Sequence, residues 1–135
     1  MEKVFVDTNV FLRYLTKDDP LKYERCTEVF KRAQQGDVIL TTSAMVIAEL
    51  VWTLLAYYKV PKSEVVQKVS IIVNTEFLRI PEKEIIADAL VLYGRKDIDY
   101  IDAYNVIFMR LQGVSKICTY DSDFEAIEGL QKEEP

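Results

Sequence analysis

Histidine is absent from the 135 residues of this chain, and that absence excludes several kinds of chemistry. Without an imidazole there is no Ser-His-Asp or Cys-His catalysis, no histidine-based cleavage of RNA and no zinc site that contains histidine. Proton transfer must therefore fall to carboxylates, lysine, tyrosine or water activated by a metal ion.

Cysteine and long apolar runs are also scarce. Cys26 and Cys118 stand in apolar stretches with no cysteine or histidine nearby, so we expect buried, unreactive thiols rather than a redox or metal motif. No apolar run reaches the roughly 18 residues that a membrane span needs, and the first residues lack the apolar stretch of a signal peptide. We expect a cytoplasmic protein.

Positive charge is in deficit, because 17 basic residues face 22 acidic ones and leave a formal charge of -5. This balance argues against a protein that coats nucleic acid, since such proteins are normally basic. Apolar residues are plentiful at 50% of the chain, which is enough for one domain with a sizeable core. We predict a single domain over residues 1–135.

Strand and helix patterns alternate along the chain. Short strands are predicted at 2–6, 38–40, 77–80, 116–119 and, at an edge, 130–132. Helices are predicted after Asp7, at 21–35, from 41–43 to about 58, at 62–74 with Ser63 as a cap, at 82–93, at 99–111 and at 121–127. Such alternation requires crossover connections and favours a parallel sheet covered on both faces. The predicted fold is a three-layer α/β/α sandwich.

Glu49 is the only charged residue between Asp37 and Lys59. Apolar residues surround it at nearly every helical position, so we expect the helix to be largely buried. An unpaired ionised carboxylate in such a place would cost several kcal/mol. Glu49 therefore needs a cation, an arginine partner or a water-filled cleft.

Asp102 repeats this pattern, since it is the only charge between Asp99 and Arg110. A structural role is also open to it, because Asp99 could be the N-cap of the helix and Asp102 the acid of its first turn, near the positive end of the helix dipole. We interpret Asp99 mainly as a cap.

Asp7 and Asp121 each follow a predicted strand. The carboxyl ends of parallel strands are where ligand clefts open in this architecture, although aspartate at such a turn is often only a cap. Asp123 is either a further ligand or the cap of the last helix, and we favour the cap.

Four carboxylates brought together would repel one another unless Mg²⁺ or Mn²⁺ lies among them with oxygen coordination. Two such ions about 4 Å apart can activate a water and stabilise the leaving oxygen of a phosphodiester displacement. That chemistry needs no histidine.

The chain resembles the PIN-domain ribonucleases of the VapC toxin type over nearly its whole length. The resemblance rests on four segments in order: VFVDTN at 4–9, SAMVIAEL at 43–50, DYIDAYN at 99–105 and TYDSDF at 119–124. The ending FEAIEGLQKEEP at 124–135 is also similar to the usual close of the family.

The resemblance implies a PIN fold with strand order near 3-2-1-4-5, endoribonuclease activity and a pocket for Mg²⁺ or Mn²⁺. It places Asp7, Glu49, Asp102 and Asp121 at the catalytic and metal-binding positions, with Asp123 as a frequent further ligand. The polar positions near this pocket are matched by Thr8, Asn9, Ser43, Asn105 and Thr119. It also implies a homodimer that is neutralised by a small antitoxin protein.

The net charge and the aromatic residues are compatible with a metal-dependent ribonuclease. Two divalent ions would offset most of the formal charge of -5, and the RNA backbone could then contact Arg13, Lys17, Arg95 or Lys96. Each of these four is equally well a solvated surface charge. We interpret the aromatic residues Trp52, Tyr57 and Tyr58 as core or dimer-interface groups rather than as platforms for bases.

The sequence is also compatible with other functions. A receiver domain or a haloacid-dehalogenase-like phosphotransferase also places an aspartate at a strand end with Mg²⁺, but neither predicts Glu49, and Asp7-Thr8-Asn9 lacks the second acid of the latter. A catalytically silent PIN scaffold that binds RNA or protein is the remaining alternative.

Overall fold

Parallel strand pairing organises both halves of the chain. The computed structural model describes residues 1–135, which divide into the units Met1–Lys83 and Glu84–Pro135. The first unit has the elements β1 (Lys3–Phe5), α1 (Thr8–Thr16), α2 (Pro20–Gln34), β2 (Ile39–Thr41), α3 (Ala44–Ala56), α4 (Lys62–Val73) and β3 (Leu78–Arg79). From the boundary onward follow α5 (Lys83–Arg95), α6 (Tyr100–Leu111), β4 (Lys116–Cys118), a 3₁₀ helix (Ser122–Ala126) and β5 (Gln131–Glu133).

In the first unit β2 lies between β1 and β3, and all three strands are parallel. Val4 is in register with Leu40, and Leu40 with Leu78. In the second unit β4 and β5 pair in parallel. The predicted α/β class with a parallel sheet is confirmed, while the predicted order 3-2-1-4-5 as a whole stays a prediction.

Helix starts follow the local signals in the sequence. Ser43 accepts a hydrogen bond from the backbone N–H of Val46 at 3.2 Å, and Asp99 accepts one from that of Asp102 at 2.8 Å. Both residues therefore cap the helices that follow them, Asp99 as predicted and Ser43 as one of the three candidates at 41–43. The predicted Ser63 cap is wrong, because Pro61 stands at the N-cap position of α4 and no side chain bonds to the free amides there.

The core of the first unit is formed by apolar side chains from β2 and the helices around it. Fully buried members are Phe11, Leu40, Ile47, Leu50, Leu54, Val65 and Val69. Phe11 also stacks on Phe30, with ring centroids 6.1 Å apart.

Helix α3 buries only one face, so the prediction of a largely buried helix is wrong. Its opposite face carries Met45, Glu49 and Trp52, of which Met45 is 78% and Trp52 65% exposed. Tyr57 beyond the helix is also exposed. Trp52 and Tyr57 are therefore not core residues, and their predicted place in a dimer interface stays a prediction.

The two cysteines differ in environment. Cys26 is buried in α2, where burial raises the pKa of its thiol. Cys118 at the end of β4 is exposed, so the prediction of two buried thiols is wrong for this residue. No helix of the protein is both long and apolar enough to cross a membrane.

Candidate metal centre

Three carboxylates meet in the second unit. Asp102 lies in the first turn of α6, and Asp121 and Asp123 lie in the turn that follows β4. One oxygen from each carboxylate lies within 4.8 Å of the others. Three of the five acids predicted to bind metal are thus brought to one place.

Short hydrogen bonds fix the turn after β4. The Thr119 hydroxyl oxygen accepts from the Asp121 N–H at 3.0 Å, and the Asp121 carboxylate accepts from the Asp123 N–H at 2.8 Å. Asp121 is therefore the cap of the 3₁₀ helix, and the preference for Asp123 as that cap is wrong. The reason is geometric, since the Asp121 carboxylate, and not that of Asp123, accepts from a backbone amide at the start of the 3₁₀ helix. The carboxylate of Asp123 instead belongs to the cluster.

Desolvation and the charges of neighbouring acids both disfavour ionised carboxylates in the cluster. Partial burial, followed by the charges of Asp99, Asp121 and Asp123, raises the pKa of Asp102 from 3.8 to about 6. The charge of Asp121, followed by desolvation and by the charge of Asp97, raises the pKa of Asp123. Both shifts disfavour the ionised carboxylates, and a bound cation would offset them.

Asp97 is a member of this acidic neighbourhood that the sequence pattern alone did not single out. It lies in the loop before α6 and acts on Asp123 through its charge. The spacing Asp97-x-Asp99-x-x-Asp102 is the signal that would have drawn attention to it.

The donor set fits a hard divalent cation. All three residues offer carboxylate oxygen, the ligand that Mg²⁺ and Mn²⁺ prefer. Asp121 and Asp123 are exposed and Asp102 is partly buried. A cation held there would keep positions open to water and to a substrate oxygen.

Asp7 and Glu49 belong to the first unit. Asp7 is exposed at the end of β1 and caps α1, where its Oδ1 accepts from the Thr8 N–H at 2.8 Å. Their participation in the same centre as the three clustered acids stays a prediction.

Thr42 holds the strand end that carries Asp7, a role that sequence reasoning missed. Its buried hydroxyl donates to the carbonyl of Val6 at 2.8 Å. The run Thr41-Thr42-Ser43 offers three hydroxyls at the start of α3, but only Ser43 caps that helix. The Thr8 hydroxyl, beside Asp7, is buried without a hydrogen-bond partner.

Glu49 is exposed on α3, so it pays no burial cost that a cation would have to relieve. The burial expected for Glu49 is therefore wrong, and its predicted metal role rests on the resemblance alone. Asn9 and Asn105 are likewise exposed, on α1 and α6.

Comparison with known proteins gives the family. The model of the PIN domain matches residues 4–130. The chain belongs to the PIN-domain family. All five predicted metal residues fall within the matched segment, which includes residues of both units. That residues 1–135 form a single PIN domain stays our prediction.

Relatives of this PIN domain include a VapC ribonuclease of Aquifex aeolicus (strain VF5). The two are 25% identical over 122 residues, which cover 90% of each chain. Among solved structures, Mycobacterium tuberculosis VapC20, described as a sarcin-ricin loop cleaving toxin, matches with 22% identity and a TM-score of 0.42 over 97% of this chain and 98% of that one. The resemblance seen in the sequence is confirmed.

Proposed function

We propose that this PIN domain is a metal-dependent endoribonuclease and the toxin of a toxin–antitoxin pair. The observation that carries the proposal is the approach of Asp102, Asp121 and Asp123 to within 4.8 Å of one another. This PIN domain also has a VapC ribonuclease as a relative over nine-tenths of its length. A carboxylate cluster of this kind can support metal-dependent cleavage of RNA without histidine.

Asp102, Asp121 and Asp123 would hold Mg²⁺ or Mn²⁺, and Asp7 and Glu49 are proposed to complete the ligand set. A divalent ion bound there supplies an activated water and neutralises charge that develops on the phosphate and the leaving oxygen. The protein fixes its donors in advance, because the Asp123 N–H holds the Asp121 carboxylate and the Thr8 N–H holds that of Asp7. Each acid keeps a second oxygen for the cation.

The test is cleavage of total RNA by the purified protein with and without EDTA. We expect cleavage in Mg²⁺ or Mn²⁺, none in EDTA, and recovery when the metal is restored. Asp121→Asn and Glu49→Gln should each lower the rate by at least tenfold, whereas Asp88→Asn, an exposed acid of α5, should leave it unchanged. Cleavage that continued in EDTA and in both variants would contradict the metal mechanism.

The toxin role predicts two protein partners. A small antitoxin encoded beside this gene should bind the protein and abolish cleavage, and expression of the protein alone should stop growth in a manner that Asp121→Asn relieves. A second copy of the chain should be present in solution as a homodimer, which light scattering measures. We also propose that the protein is located in the cytoplasm, where it would meet its RNA substrate.

A further inference from the structure

A concave surface of basic character lies between α1 and α2. It encloses about 300 Å³ and is lined by Asn9, Val10, Arg13, Lys22, Arg25 and Cys26. We call it the basic groove. Its lining has three cationic side chains and no acidic one, although the chain as a whole has a net charge of -5.

Two of the three cations in the basic groove are not neutralised. Arg13 pairs with Asp18 at 2.9 Å, but Lys22 and Arg25 are exposed and form no ion pair. The groove therefore keeps a positive charge that a polyanion can neutralise.

Arg13 is a preorganised member of the groove. Its guanidinium bonds to both carboxylate oxygens of Asp18 at 2.9 and 3.0 Å, and Asp18 is held in turn by the Thr16 hydroxyl at 3.0 Å. A guanidinium fixed in this way loses little further freedom when it contacts a phosphate oxygen.

The basic groove begins beside Asp7. Asp7 caps α1, Asn9 is the second residue of the helix, and Arg13 lies one turn further on. At about 1.5 Å of rise per residue, Asp7 and Arg13 are separated by roughly 9 Å along the helix axis. Lys22 and Arg25, three positions apart on α2, add their charges to the same concavity.

We propose that the basic groove binds the phosphate backbone of the RNA beside the bond that is cut. This inference rests on the proposed function, because it takes RNA as the substrate and Asp7 as part of the reaction centre. Arginine and lysine are the usual partners of phosphate oxygens, and the Asn9 amide can donate to phosphate or sugar oxygens. Such contacts position the strand without reading its sequence.

The residues differ from those that the sequence suggested for this role. Arg13 is retained, whereas the Lys17 ammonium lies 5.3 Å from the centre of the Tyr23 ring. Lys22 and Arg25 are added, since only the packing of α2 beside α1 puts them in one groove with Arg13.

The test measures RNA binding apart from cleavage. The variant is Lys22→Gln/Arg25→Gln, and its matched control is Lys31→Gln/Arg79→Gln, which removes one exposed lysine and one exposed arginine from outside the groove. All proteins also contain Asp121→Asn and are kept in EDTA, so that a labelled single-stranded RNA stays intact during fluorescence anisotropy titrations at a series of KCl concentrations.

Two lost phosphate contacts should reduce the slope of log K against log[KCl] by about 1.4, at roughly 0.7 per contact to a single strand. Affinity should then fall about 25-fold at 0.1 M KCl and converge with that of the parent near 1 M. The control should keep the parent slope. Circular dichroism and thermal unfolding verify that each variant is folded.

A slope that changes equally in the variant and the control would overturn the inference, since the charge effect would then be non-specific. Full RNA binding with lost affinity for the antitoxin would also overturn it, and would assign the groove to an acidic peptide. The proposed function is judged separately by EDTA-sensitive cleavage in the native background. There, Lys22→Gln/Arg25→Gln should raise KM while kcat stays near the parent value.

Discussion

Replacement of Asp102 by asparagine should stabilise the protein when no metal is bound. The pKa of Asp102 is raised from 3.8 to about 6 in the folded state by burial and by three neighbouring acids. Folding therefore favours the protonated form, so this contribution to stability is full below about pH 3.8 and is lost as the pH rises through 6. At pH 8 the ionised Asp102 destabilises the metal-free protein.

The magnitude follows from the raised pKa. A difference of about two pH units corresponds to at most about 3 kcal/mol, and solvent screening of the partly exposed carboxylate halves this to about 1.5 kcal/mol. Asparagine also loses the favourable interaction of an acid with the N-terminal end of α6, which is worth about 0.5 kcal/mol. The net gain is about 1 kcal/mol, or roughly 3–4 °C in Tm for a domain of this size.

Thermal unfolding in EDTA at pH 5 and pH 8 tests this prediction. Asp102→Asn should have a higher Tm than the parent at pH 8 and a smaller advantage at pH 5, which lies between the unfolded pKa of 3.8 and the folded pKa of about 6. Asp88→Asn should change little at either pH. Added Mg²⁺ should raise the Tm of the parent and not that of Asp102→Asn. If Asp102→Asn lowered the Tm at pH 8 in EDTA by several degrees, Asp102 would be a helix-capping acid rather than a strained member of a cation site.

Further predictions concern the fold that supports the centre. A thiol reagent should modify the exposed Cys118 rapidly and the buried Cys26 only on unfolding; equal rates would contradict their assigned environments. Thr42→Val removes the buried hydrogen bond that holds the end of β1, so the free energy of unfolding in urea should fall by about 1–2 kcal/mol. Phe11→Ala empties a fully buried position and should lower it by about 3–5 kcal/mol. Phe5→Ala, at a 55% exposed position, should lower the free energy of unfolding by less than about 1 kcal/mol. A comparable loss in Phe11→Ala and Phe5→Ala would refute the assignment of Phe11 to the core.

The exposed face of α3 shows where sequence reasoning about burial fails. An apolar helix with a single charge has the same composition whether its second face is covered by its own chain or left open. Met45 and Trp52 are exposed here, and Glu49 shares their face. The exposed Glu49 carboxylate therefore has no burial energy for a cation to relieve, and its metal role stays a prediction that rests on the resemblance.

Several features were determined by the sequence itself, because they depend on contacts between near neighbours. Asp7, Ser43 and Asp99 cap their helices through backbone amides one to three residues away, and such bonds need only the right side chain at the right spacing. The alternation of strands and helices likewise implied the parallel pairing that β1, β2 and β3 show. The candidate acids also stand out in the sequence, at the ends of strands or alone in apolar stretches.

Tertiary structure decided which of these features come together. Asp102 meets Asp121 and Asp123 only because α6 and the turn after β4 fold side by side. The raised pKa of Asp102 follows first from its burial and then from the charges of Asp99, Asp121 and Asp123. The tertiary structure also decided that Cys118 is exposed. Burial and charge proximity depend on segments far apart in the chain, so they arise only when the whole fold brings those segments into contact.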